Sequence, residues 1–439
     1  MGFYFFYPIM KTGQLYSYFQ KHPIVSTDSR KIEPKSLFFA LKGANFDGNQ
    51  YALDAIKKGA AFAIVDDKNL PNDEHLIQVE NVLQALQELA AFHRQQLQIP
   101  VLGITGSNGK TTTKELIVSV LQQKYRVTYT QGNLNNHIGV PLTLLKINEE
   151  TEIAVVEMGA NHPGEIKTLC NFADPNFGLI TNIGKAHLEG FGSFEGVIKT
   201  KSELYDHLRV NNGKCFLNID NDILVKQAQG LQQLTYGSSS QAQLRGELQD
   251  SGYYLTVKTL FPKGWLYLKS KMIGSYNFEN ILAAARIGLQ FEVDPLKIQK
   301  AIENYEPTNN RSQLITKESN KIFMDAYNAN PTSMLAALSN FAKVDGDKKT
   351  VILGDMLELG NQSKEEHQKI VDFIKTLSLD AIYLVGTEFA KTTAGAKIKK
   401  FNHVELLSDY LYQQKPMENQ VILIKGSRGI QLEKILESI

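Results

Sequence analysis

Residues 101–113 read VLGITGSNGKTTT, and this stretch decides the fold. The apolar run 101–105 is typical of a buried strand, and a turn containing Gly106 and Gly109 follows it. Lys110 and the threonines after it then open a helix. The backbone N–H groups of such a turn and the helix N-terminus together form a concave anion site. The stretch therefore predicts a phosphate-binding loop at the edge of a parallel sheet.

Two side chains of this loop have expected roles in nucleotide binding. Lys110 would reach the β- and γ-phosphates, and the Thr111 hydroxyl would bind Mg²⁺. The spacing departs from G-x-x-x-x-G-K-[ST], because Ile104 occupies the position of the first glycine. An accidental glycine-rich turn is the alternative, but the strand, the glycines, the Lys-Thr pair and the helix agree on a phosphate loop.

The rest of the chain predicts an α/β protein of three domains. Its 439 residues exceed one domain at roughly 100–200 residues each, and strand-like runs alternate with helical patterns. We place an N-terminal domain at 1–99, a central parallel-sheet ATPase domain at 100–307 and a C-terminal Rossmann-like domain at 308–439. Pro100 marks the first boundary, and the polar stretch YEPTNNRS at 305–312 is a linker and expected hinge. Strands are predicted at 36–41, 61–65, 101–105, 153–157, 177–181, 215–219, 321–325, 351–354, 381–385 and 420–424, helices at 51–58, 82–96, 112–123, 194–207, 276–290, 332–341 and 364–377, and an antiparallel flap at 243–271.

Composition excludes several classes of protein. The 47 Lys+Arg residues balance 46 Asp+Glu, and a net charge of +1 argues against a general nucleic-acid binder. Two cysteines cannot build a disulfide framework or a zinc site alone, which favours the cytoplasm. No apolar run approaches the roughly 20 residues that cross a bilayer, so membrane insertion is not expected. The aromatic start MGFYFFYPIM lacks the features of a signal peptide and is predicted to be a packed strand or an extended segment, with Met10 as an alternative initiator.

Three further residues are candidates for metal chemistry. Glu157 ends an apolar strand, where a carboxylate faces the ligand crevice of a parallel sheet. His187 follows the strand ending near Thr181, and Lys201 lies on a predicted helix. By themselves, Glu157 could be an exposed strand end, His187 a structural loop histidine, and Lys201 a solvated lysine.

The loop sequence resembles the ATP loop of the Mur ligases, which join amino acids or peptides to the peptidoglycan precursor. The resemblance implies that Glu157 and His187 bind Mg²⁺, with two ions in the site, and that Glu157 assists deprotonation of the incoming amine. Thr200-Lys201-Ser202-Glu203-Leu204-Tyr205 is similar to a run in which the lysine carries a CO₂-derived carbamate that binds magnesium. The resemblance implies that the catalytic residues are Lys110, Glu157, His187 and Lys201. It implies that the metal ligands are Thr111, Glu157, His187 and Lys201. The implied ATP contacts in the loop are Thr105, Gly106, Ser107, Asn108, Gly109, Lys110, Thr111 and Thr112.

Other ATP contacts are implied later in the chain. Residues 274–280 (GSYNFEN) resemble the family run G-x-H-N-x-x-N, in which Asn277 and Asn280 would contact the adenine end. Tyr276 replaces the usual histidine. Arg311 and Asp325 match residues that complete the ATP site from the last domain. Without the resemblance, the asparagines read as helix caps, Arg311 as a solvated linker charge and Asp325 as a cap.

Several blocks resemble the branch of the family that adds D-alanyl-D-alanine. They are EMGANHPGE (157–165), HLEGFG (187–192), NLNNHIGVP (133–141), DAYNANP (325–331), LGDMLELG (353–360) and KGSR (425–428). In the first domain, STDSR (26–30) and FALKG (39–43) resemble a uridine-nucleotide site, with Asn49 where histidine is common. Implied UDP-substrate contacts are Ser29, Arg30, Phe39, Lys42, Gly43, Asp47, Asn135 and Asn136; implied dipeptide contacts are Tyr327, Asn328 and Asn330.

The resemblance thus implies an ATP- and Mg²⁺-dependent ligase acting as a cytoplasmic monomer. Its partners would be UDP-N-acetylmuramoyl-tripeptide and D-alanyl-D-alanine, joined through an acyl phosphate. A folylpolyglutamate- or cyanophycin-type ligase would share the phosphate loop but has no reason to carry the DAYNANP and LGDMLELG blocks. An ATP-binding regulatory or scaffold protein would be expected to have lost a ligand, and Thr111, Glu157, His187 and Lys201 are all present.

Overall fold

The computed structural model describes residues 10–249, 252–308 and 310–439. The expected strand or extended start at residues 1–9 lies outside the described residues. Three α/β units follow one another along the chain, as the sequence predicts. Among the described residues, we find no helix with the length and apolar character that a membrane crossing needs.

The N-terminal unit is a small parallel sheet with helices against it. The strand order is β1-β2-β5-β6, and β3 and β4 form a separate antiparallel hairpin. The fully buried β2 explains the apolar run LFF. Its elements are α1 Thr12–Lys21, β1 Val25–Ser26, β2 Leu37–Phe39, β3 Lys42–Gly43, β4 Phe46–Asp47, the 3₁₀ turn Gly48–Tyr51, α2 Ala52–Lys57, β5 Phe62–Val65, β6 Leu76–Gln78 and α3 Val82–Gln95.

The central unit is a large sheet built around β7, the strand that precedes the phosphate loop. Its elements are β7 Val101–Thr105, α4 Lys110–Leu121, β8 Val127–Tyr129, α5 Gly139–Leu144, β9 Ile153–Glu157, α6 Glu165–Ala173, β10 Phe177–Ile180, α7 Leu188–Phe191, α8 Phe194–Val210, β11 Lys214–Asn218, α9 Asp222–Gln227, β12 Gln232–Gly237, β13 Leu244–Gln249, β14 Thr256–Phe261, β15 Gly264–Lys269, the 3₁₀ turn Ser275–Asn277, α10 Phe278–Gln290 and α11 Pro295–Asn304. The strand order is β15-β14-β13-β12-β11-β10-β7-β9-β8. Because β9 and β10 flank β7 on opposite sides, a crevice opens at the carboxyl ends of these parallel strands.

The expected antiparallel flap is confirmed, since β13, β14 and β15 pair antiparallel at one edge of this sheet. Helix α4 begins at Lys110, two residues before the predicted start. The backbone of Lys110 is therefore part of the helix N-terminus that faces the crevice.

The C-terminal unit is a second, smaller sheet in the order β16-β17-β21-β18-β19-β20, parallel except for β16. Its elements are β16 Gln313–Lys317, β17 Asn320–Asp325, α12 Pro331–Ala342, β18 Lys349–Gly354, the 3₁₀ turn Gly360–Gln362, α13 Ser363–Lys375, β19 Ala381–Val385, α14 Thr387–Ala390, β20 Ile398–Phe401, α15 Val404–Tyr412, β21 Val421–Lys425 and the 3₁₀ turns Arg428–Ile430 and Leu432–Ser438. The hairpin strand β16 was not predicted, because an edge strand with polar, half-exposed residues lacks a strong apolar signal.

Candidate active site

The phosphate loop has the backbone geometry that its glycines predict. Gly106 has φ +145°, and a Cβ atom there would lie 2.0 Å from Thr181 Oγ1, so a side chain cannot fit. Gly109 has φ +77° and is the N-cap of α4. The Nζ of Lys110 folds back and donates to the Gly106 carbonyl at 2.7 Å. Burial lowers the pKa of Lys110. The loop therefore holds the desolvated Lys110 amine against its own backbone carbonyls at the N-terminus of α4.

A second loop, which follows β10, supports the phosphate loop from the side. Asn182 Oδ1 accepts the backbone N–H of Asn108 at 3.0 Å. The Ser107 hydroxyl donates to the Gly184 carbonyl at 3.0 Å, while Thr181 Oγ1 donates to the Asn108 carbonyl at 2.6 Å. These contacts give Ser107 and Asn108 a structural role within the loop. Sequence analysis missed Asn182, whose only signal is its place just after a strand end beside β7.

Glu157 lies at the centre of a buried polar cluster beside the loop. Its Oε1 accepts the Thr111 hydroxyl at 3.1 Å and the Asn135 amide at 2.7 Å. Its Oε2 lies 3.4 Å from Lys114 Nζ, and both side chains are 1% exposed. Asn135 was assigned to the UDP-linked substrate, but here it is a partner of the candidate metal ligand. Sequence analysis missed Lys114, which looks like an ordinary helix lysine one turn after Lys110.

Thr111 and Glu157 fit a magnesium ion bound together with a nucleotide. Among the described residues, Glu157 Oε2 is buried and receives no hydrogen bond, and hard oxygen donors such as these suit Mg²⁺. Within the same residues, no three His, Cys, Asp or Glu side chains gather into a self-sufficient metal site. That combination suits Mg²⁺, which is commonly held by one or two carboxylates and completed by substrate phosphates and water.

His187 lies across the crevice and is paired with the C-terminal unit. Its Nδ1 contacts the Glu358 carboxylate, a side chain in the loop after β18. The contact with His187 holds the pKa of Glu358 below its ordinary range. Glu358 was not predicted as a site residue, although it is part of the LGDMLELG block. His187 thus reaches the crevice with one ring nitrogen already engaged.

Lys201 lies on α8 behind the crevice and is 1% exposed. Its Nζ donates to the Ala160 carbonyl at 3.4 Å and lies 5.2 Å from the centre of the Phe191 ring. Among the described residues, no carboxylate lies within ion-pair distance of this nitrogen. Burial, followed by the charge of Lys110, places the pKa of Lys201 well below its ordinary value. A buried amine without a counterion is an unusual lysine, not a solvated one.

The candidate adenine residues are held in a hydrogen-bonded chain at the start of α10. Asn280 Oδ1 accepts the Thr113 hydroxyl at 2.9 Å, and Asn280 Nδ2 donates to Asn277 Oδ1 at 2.7 Å. Asn277 donates in turn to Ser312 Oγ at 3.1 Å. The Tyr276 hydroxyl lies 3.2 Å from the same Ser312 oxygen, and burial raises the pKa of Tyr276. Tyr276 therefore binds the linker where the family commonly has histidine.

The C-terminal unit brings its predicted residues to the same crevice. The Arg311 guanidinium stacks on the Tyr327 ring with 3.6 Å between Cζ and the ring centre. Asp325 Oδ2 accepts from the buried Lys425 Nζ at 2.6 Å. Asn330 Nδ2 donates to Asn108 Oδ1 at 2.6 Å, which ties α12 to the phosphate loop. Lys425 belongs to the KGSR block and has no role predicted from the sequence. In the structure it contacts Asp325 directly.

A cleft of about 770 Å³ lies between the central and C-terminal units, within the size range of ligand sites. Predicted residues that line it are Ser107, Asn108, Gly109, Lys110, Thr111, Thr112, Asn135, Asn136, Glu157, His187, Asn277, Asn280, Arg311, Asp325, Tyr327 and Asn328. Thr105, Gly106, Lys201 and Asn330 do not line it. Asn136 caps α5 by accepting the backbone N–H of Gly139 at 2.9 Å.

The candidate uridine residues lie in the N-terminal unit, away from the lining of this cleft. Arg30 is exposed and pairs with Asp28 at 2.8 Å, and Ser29 precedes it. Lys42 and Gly43 are exposed on the β3 hairpin, and Lys42 pairs with Asp66 at 2.8 Å.

A buried residue braces this hairpin from inside. Asn49 donates to Asp47 Oδ1 and Asp66 Oδ1, each at 2.8 Å, and is buried. Phe39 is completely buried in the core, so its predicted contact with the substrate is not accessible in this structure.

Comparisons with known proteins match all three units of the chain. Family models match residues 22–94 as "Mur ligase family, catalytic domain", 104–288 as "Mur ligase middle domain" and 310–428 as "Mur ligase, glutamate ligase domain". UDP-N-acetylmuramoyl-tripeptide--D-alanyl-D-alanine ligases from Bacillus subtilis (strain 168) and Escherichia coli (strain K12) are 37% and 35% identical, covering 94% of this chain and 92% and 93% of theirs.

Solved structures agree as well. Acinetobacter baumannii MurF has a TM-score of 0.83 at 32% identity, covering 94% of this chain and 92% of its own. Thermotoga maritima MurF in complex with ADP has a TM-score of 0.83 at 27% identity, covering 94% and 96%. The phosphate loop, the three units and these matches along nearly the whole length lead to one conclusion: the chain belongs to the Mur ligase family.

Proposed function

We propose that the chain is an ATP-dependent ligase that joins D-alanyl-D-alanine to UDP-N-acetylmuramoyl-tripeptide, releasing ADP and phosphate. The observation that carries the proposal is the single cleft in which the phosphate loop faces Arg311, Asp325 and Tyr327 of the last unit. Relatives with this name match 94% of the chain. The product would be the pentapeptide precursor of peptidoglycan. We expect a cytoplasmic monomer, and the cysteines Cys170 and Cys215 are buried and unpaired.

The first step is transfer of the γ-phosphate to the tripeptide. A terminal carboxylate oxygen of the tripeptide attacks the γ-phosphorus, the bond to the β-phosphate oxygen breaks, and ADP leaves. Lys110 and the loop N–H groups hold the phosphates in place, and Arg311 adds positive charge from the opposite wall. Magnesium, held by Thr111 and Glu157 with His187 and Lys201 as further ligands, would neutralise phosphate charge when bound.

The second step forms the amide bond. The deprotonated amine of D-alanyl-D-alanine attacks the carbonyl carbon of the acyl phosphate, a tetrahedral intermediate forms, and phosphate leaves with the C–O bond electrons. Tyr327 and Asn328 line the cleft beside the start of α12 and, with Asn330 buried behind them, are the residues we assign to the dipeptide. The catalytic contribution of the protein is positioning and electrostatics.

We further propose that Lys201 carries a carbamate. A depressed pKa favours the uncharged amine of Lys201, the form that attacks the carbon of CO₂; the new N–C bond forms and a proton goes to water. The modification replaces a buried amine that has no carboxylate partner by an anion that suits magnesium. The observation that supports it is the absence of a carboxylate partner for Lys201 among the described residues.

The test of the overall reaction is the mass of the product. Purified protein with ATP, UDP-N-acetylmuramoyl-tripeptide and D-alanyl-D-alanine should release phosphate and form the pentapeptide nucleotide only when both substrates are present. Phosphate release with L-lysine in place of the dipeptide would instead indicate a neighbouring ligase of the family. Formation of no amide product with any of these amines would refute the proposal.

The test of the carbamate is the Lys201→Ala variant. We expect activity to fall by about 100-fold or more, because a metal-binding anion is lost, and short carboxylates added to the solution should restore part of it. Lys199→Ala is the matched control, since Lys199 is exposed on the same helix and should be silent. Equal losses without rescue in both variants would mean that the helix, not the carbamate, is responsible.

A further inference from the structure

The LGDMLELG block at 353–360 has so far no chemical role. It forms the loop after β18 and is anchored firmly to its own unit. Asp355 accepts the backbone N–H groups of Glu388 and Phe389, both at 2.8 Å, and the buried His367 Nε2 accepts that of Met356 at 3.0 Å. The loop therefore carries its outermost residues in a position fixed by the C-terminal unit.

Glu358 is the residue that this loop extends across the domain boundary. Its carboxylate pairs with Nδ1 of His187, and its carbonyl accepts the backbone N–H of Glu189 at 3.3 Å. Glu358 has φ +66° and His187 has φ +51°, so both partners adopt the left-handed conformation that residues with a side chain rarely take. Such conformations persist where surrounding structure enforces them, and they cluster at functional sites.

The pairing has the form of a second-shell interaction. A histidine that binds a metal through one ring nitrogen commonly donates the other N–H to a carboxylate, which fixes the tautomer and the orientation of the ring. Nδ1 lies within ion-pair distance of the Glu358 carboxylate, although the two groups are not aligned as a hydrogen bond, so Nε2 is the nitrogen left for a ligand. The unusual feature is that the carboxylate and the histidine belong to different domains.

We propose that Glu358 is a positioning residue that orients His187 for magnesium only when the C-terminal domain is closed. The inference rests on the proposed function, because that function assigns His187 to the metal. It makes domain closure and completion of the metal site one event. Such an enzyme would bind the nucleotide's magnesium with its full affinity only in the closed form.

A neighbouring ion pair provides the matched control. Lys185 Nζ lies 3.0 Å from Glu366 Oε1, across the same domain boundary, and neither side chain forms a hydrogen bond or ion pair with His187. Glu366 keeps a second partner, Lys369, at 3.0 Å. Lys185→Met should therefore weaken closure without altering the orientation of His187, whereas Glu358→Ala should alter both.

The experiment measures binding of Mn²⁺, a spectroscopic substitute for Mg²⁺, to the full-length protein in the presence of ADP by electron paramagnetic resonance. We expect Glu358→Ala to raise the Mn²⁺ dissociation constant about 10–100-fold, the usual cost of losing a second-shell partner. Glu358→Gln keeps an oxygen that can accept from Nδ1 and should recover most of the affinity. Lys185→Met weakens closure only slightly, so its Mn²⁺ dissociation constant in saturating ADP should rise by no more than about 2-fold.

Steady-state kinetics can distinguish a positioning role of Glu358 from a merely structural one. Glu358→Ala should need more Mg²⁺ for half-maximal rate, while kcat at saturating Mg²⁺ falls much less. Because the Glu358 side chain is 54% exposed, the variant should fold, which circular dichroism can check. Unchanged Mn²⁺ affinity in Glu358→Ala, or an equal loss in Lys185→Met, would overturn the inference. Because the experiment measures metal binding in the presence of ADP, its result does not depend on which amine the enzyme uses.

Discussion

The central unit makes two interfaces that differ in how many polar contacts they contain. Towards the N-terminal unit, α3 packs on α5 and α6 through buried apolar residues such as Leu89 and Leu144. The buried Arg94 closes this interface by donating to the Ala173 and Asp174 carbonyls, each at 2.9 Å. Burial of this kind resists opening, since every separation would expose apolar surface and leave a buried cation without its acceptors.

The interface with the C-terminal unit adds polar contacts at the rim of the cleft to the apolar core that continues into this unit through residues such as Met334 and Leu359. It includes the bond from Asn330 to Asn108 and the pairs of Lys185 with Glu366 and of His187 with Glu358. One aromatic contact adds to them, with 5.8 Å between the ring centres of Tyr253 and Phe323. Water can replace hydrogen bonds and ion pairs at small cost. From this difference we predict that the first two domains move as one body and that the last domain opens and closes about the expected hinge at 305–312.

Removing Arg94 should have the largest effect on this arrangement. Arg94→Met leaves buried carbonyls without donors, so we expect the free energy of unfolding to fall by about 3 kcal/mol. Urea unfolding followed by circular dichroism measures the change. Arg126→Met is the control, because the Arg126 side chain is 65% exposed and should cost little. A loss equally small in both variants would show that the N-terminal interface is not held by its buried arginine.

The pH should affect the same interface. The neutral His93 ring donates from Nε2 to the Ile147 carbonyl at 2.9 Å and accepts from the Tyr16 hydroxyl at Nδ1, 3.2 Å away. Burial lowers the pKa of His93, so the unfolded chain binds the proton more readily than the folded one. Stability from this group is present above the unfolded pKa of about 6.5 and is lost as the pH falls through that value towards the folded pKa.

His93→Gln tests this dependence, because it keeps hydrogen-bonding groups without a proton to gain. Unfolding midpoints measured between pH 8 and pH 5 should fall more steeply in the wild type than in the variant. His207 and His367 also have pKa values lowered mainly by burial and contribute a common background to both proteins. Parallel curves would contradict a role for His93 in the pH response.

The sequence predicts best those features of the fold that are formed by residues contiguous in the chain. The phosphate loop was predicted because strand, glycines, Lys110 and helix are contiguous in the chain, and the structure confirms that geometry. The α/β class and most strands followed from short apolar runs. Helix α11 was not predicted, although Asp294 caps it and Pro295 opens it.

The candidate site was harder, because its contacts join residues far apart in the chain. Asn135 and Glu157 were assigned to different ligands, yet they share a hydrogen bond. Lys114 and Glu358 carry no local signal: one resembles a surface helix lysine and the other a loop carboxylate. Only folding brings Lys114 against Glu157 and Glu358 against His187.

A smaller effect is expected from the polar interface. Lys185→Met should shift the closed form by about 0.5 kcal/mol, the scale of a partly exposed ion pair, without lowering the stability of either domain. Dyes on cysteines at the exposed positions Val210 and Leu406 would report the distance between the central and C-terminal domains, since the native cysteines are buried. We expect single-molecule energy transfer to show a larger fraction of open molecules in the variant. An unchanged distribution would mean that this pair does not hold the domain.

The smallest expected effect compares both interfaces in one experiment. Raising NaCl from 0.1 to 1 M shortens the screening length from about 10 to about 3 Å, which weakens exposed ion pairs but not apolar burial. The dye pair at Val210 and Leu406 should therefore report a modest opening, by a few tenths of a kcal/mol. A pair at Val210 and the exposed Tyr51 of the N-terminal unit should report none. If both distances respond alike, the two interfaces do not differ in the way that their chemistry indicates.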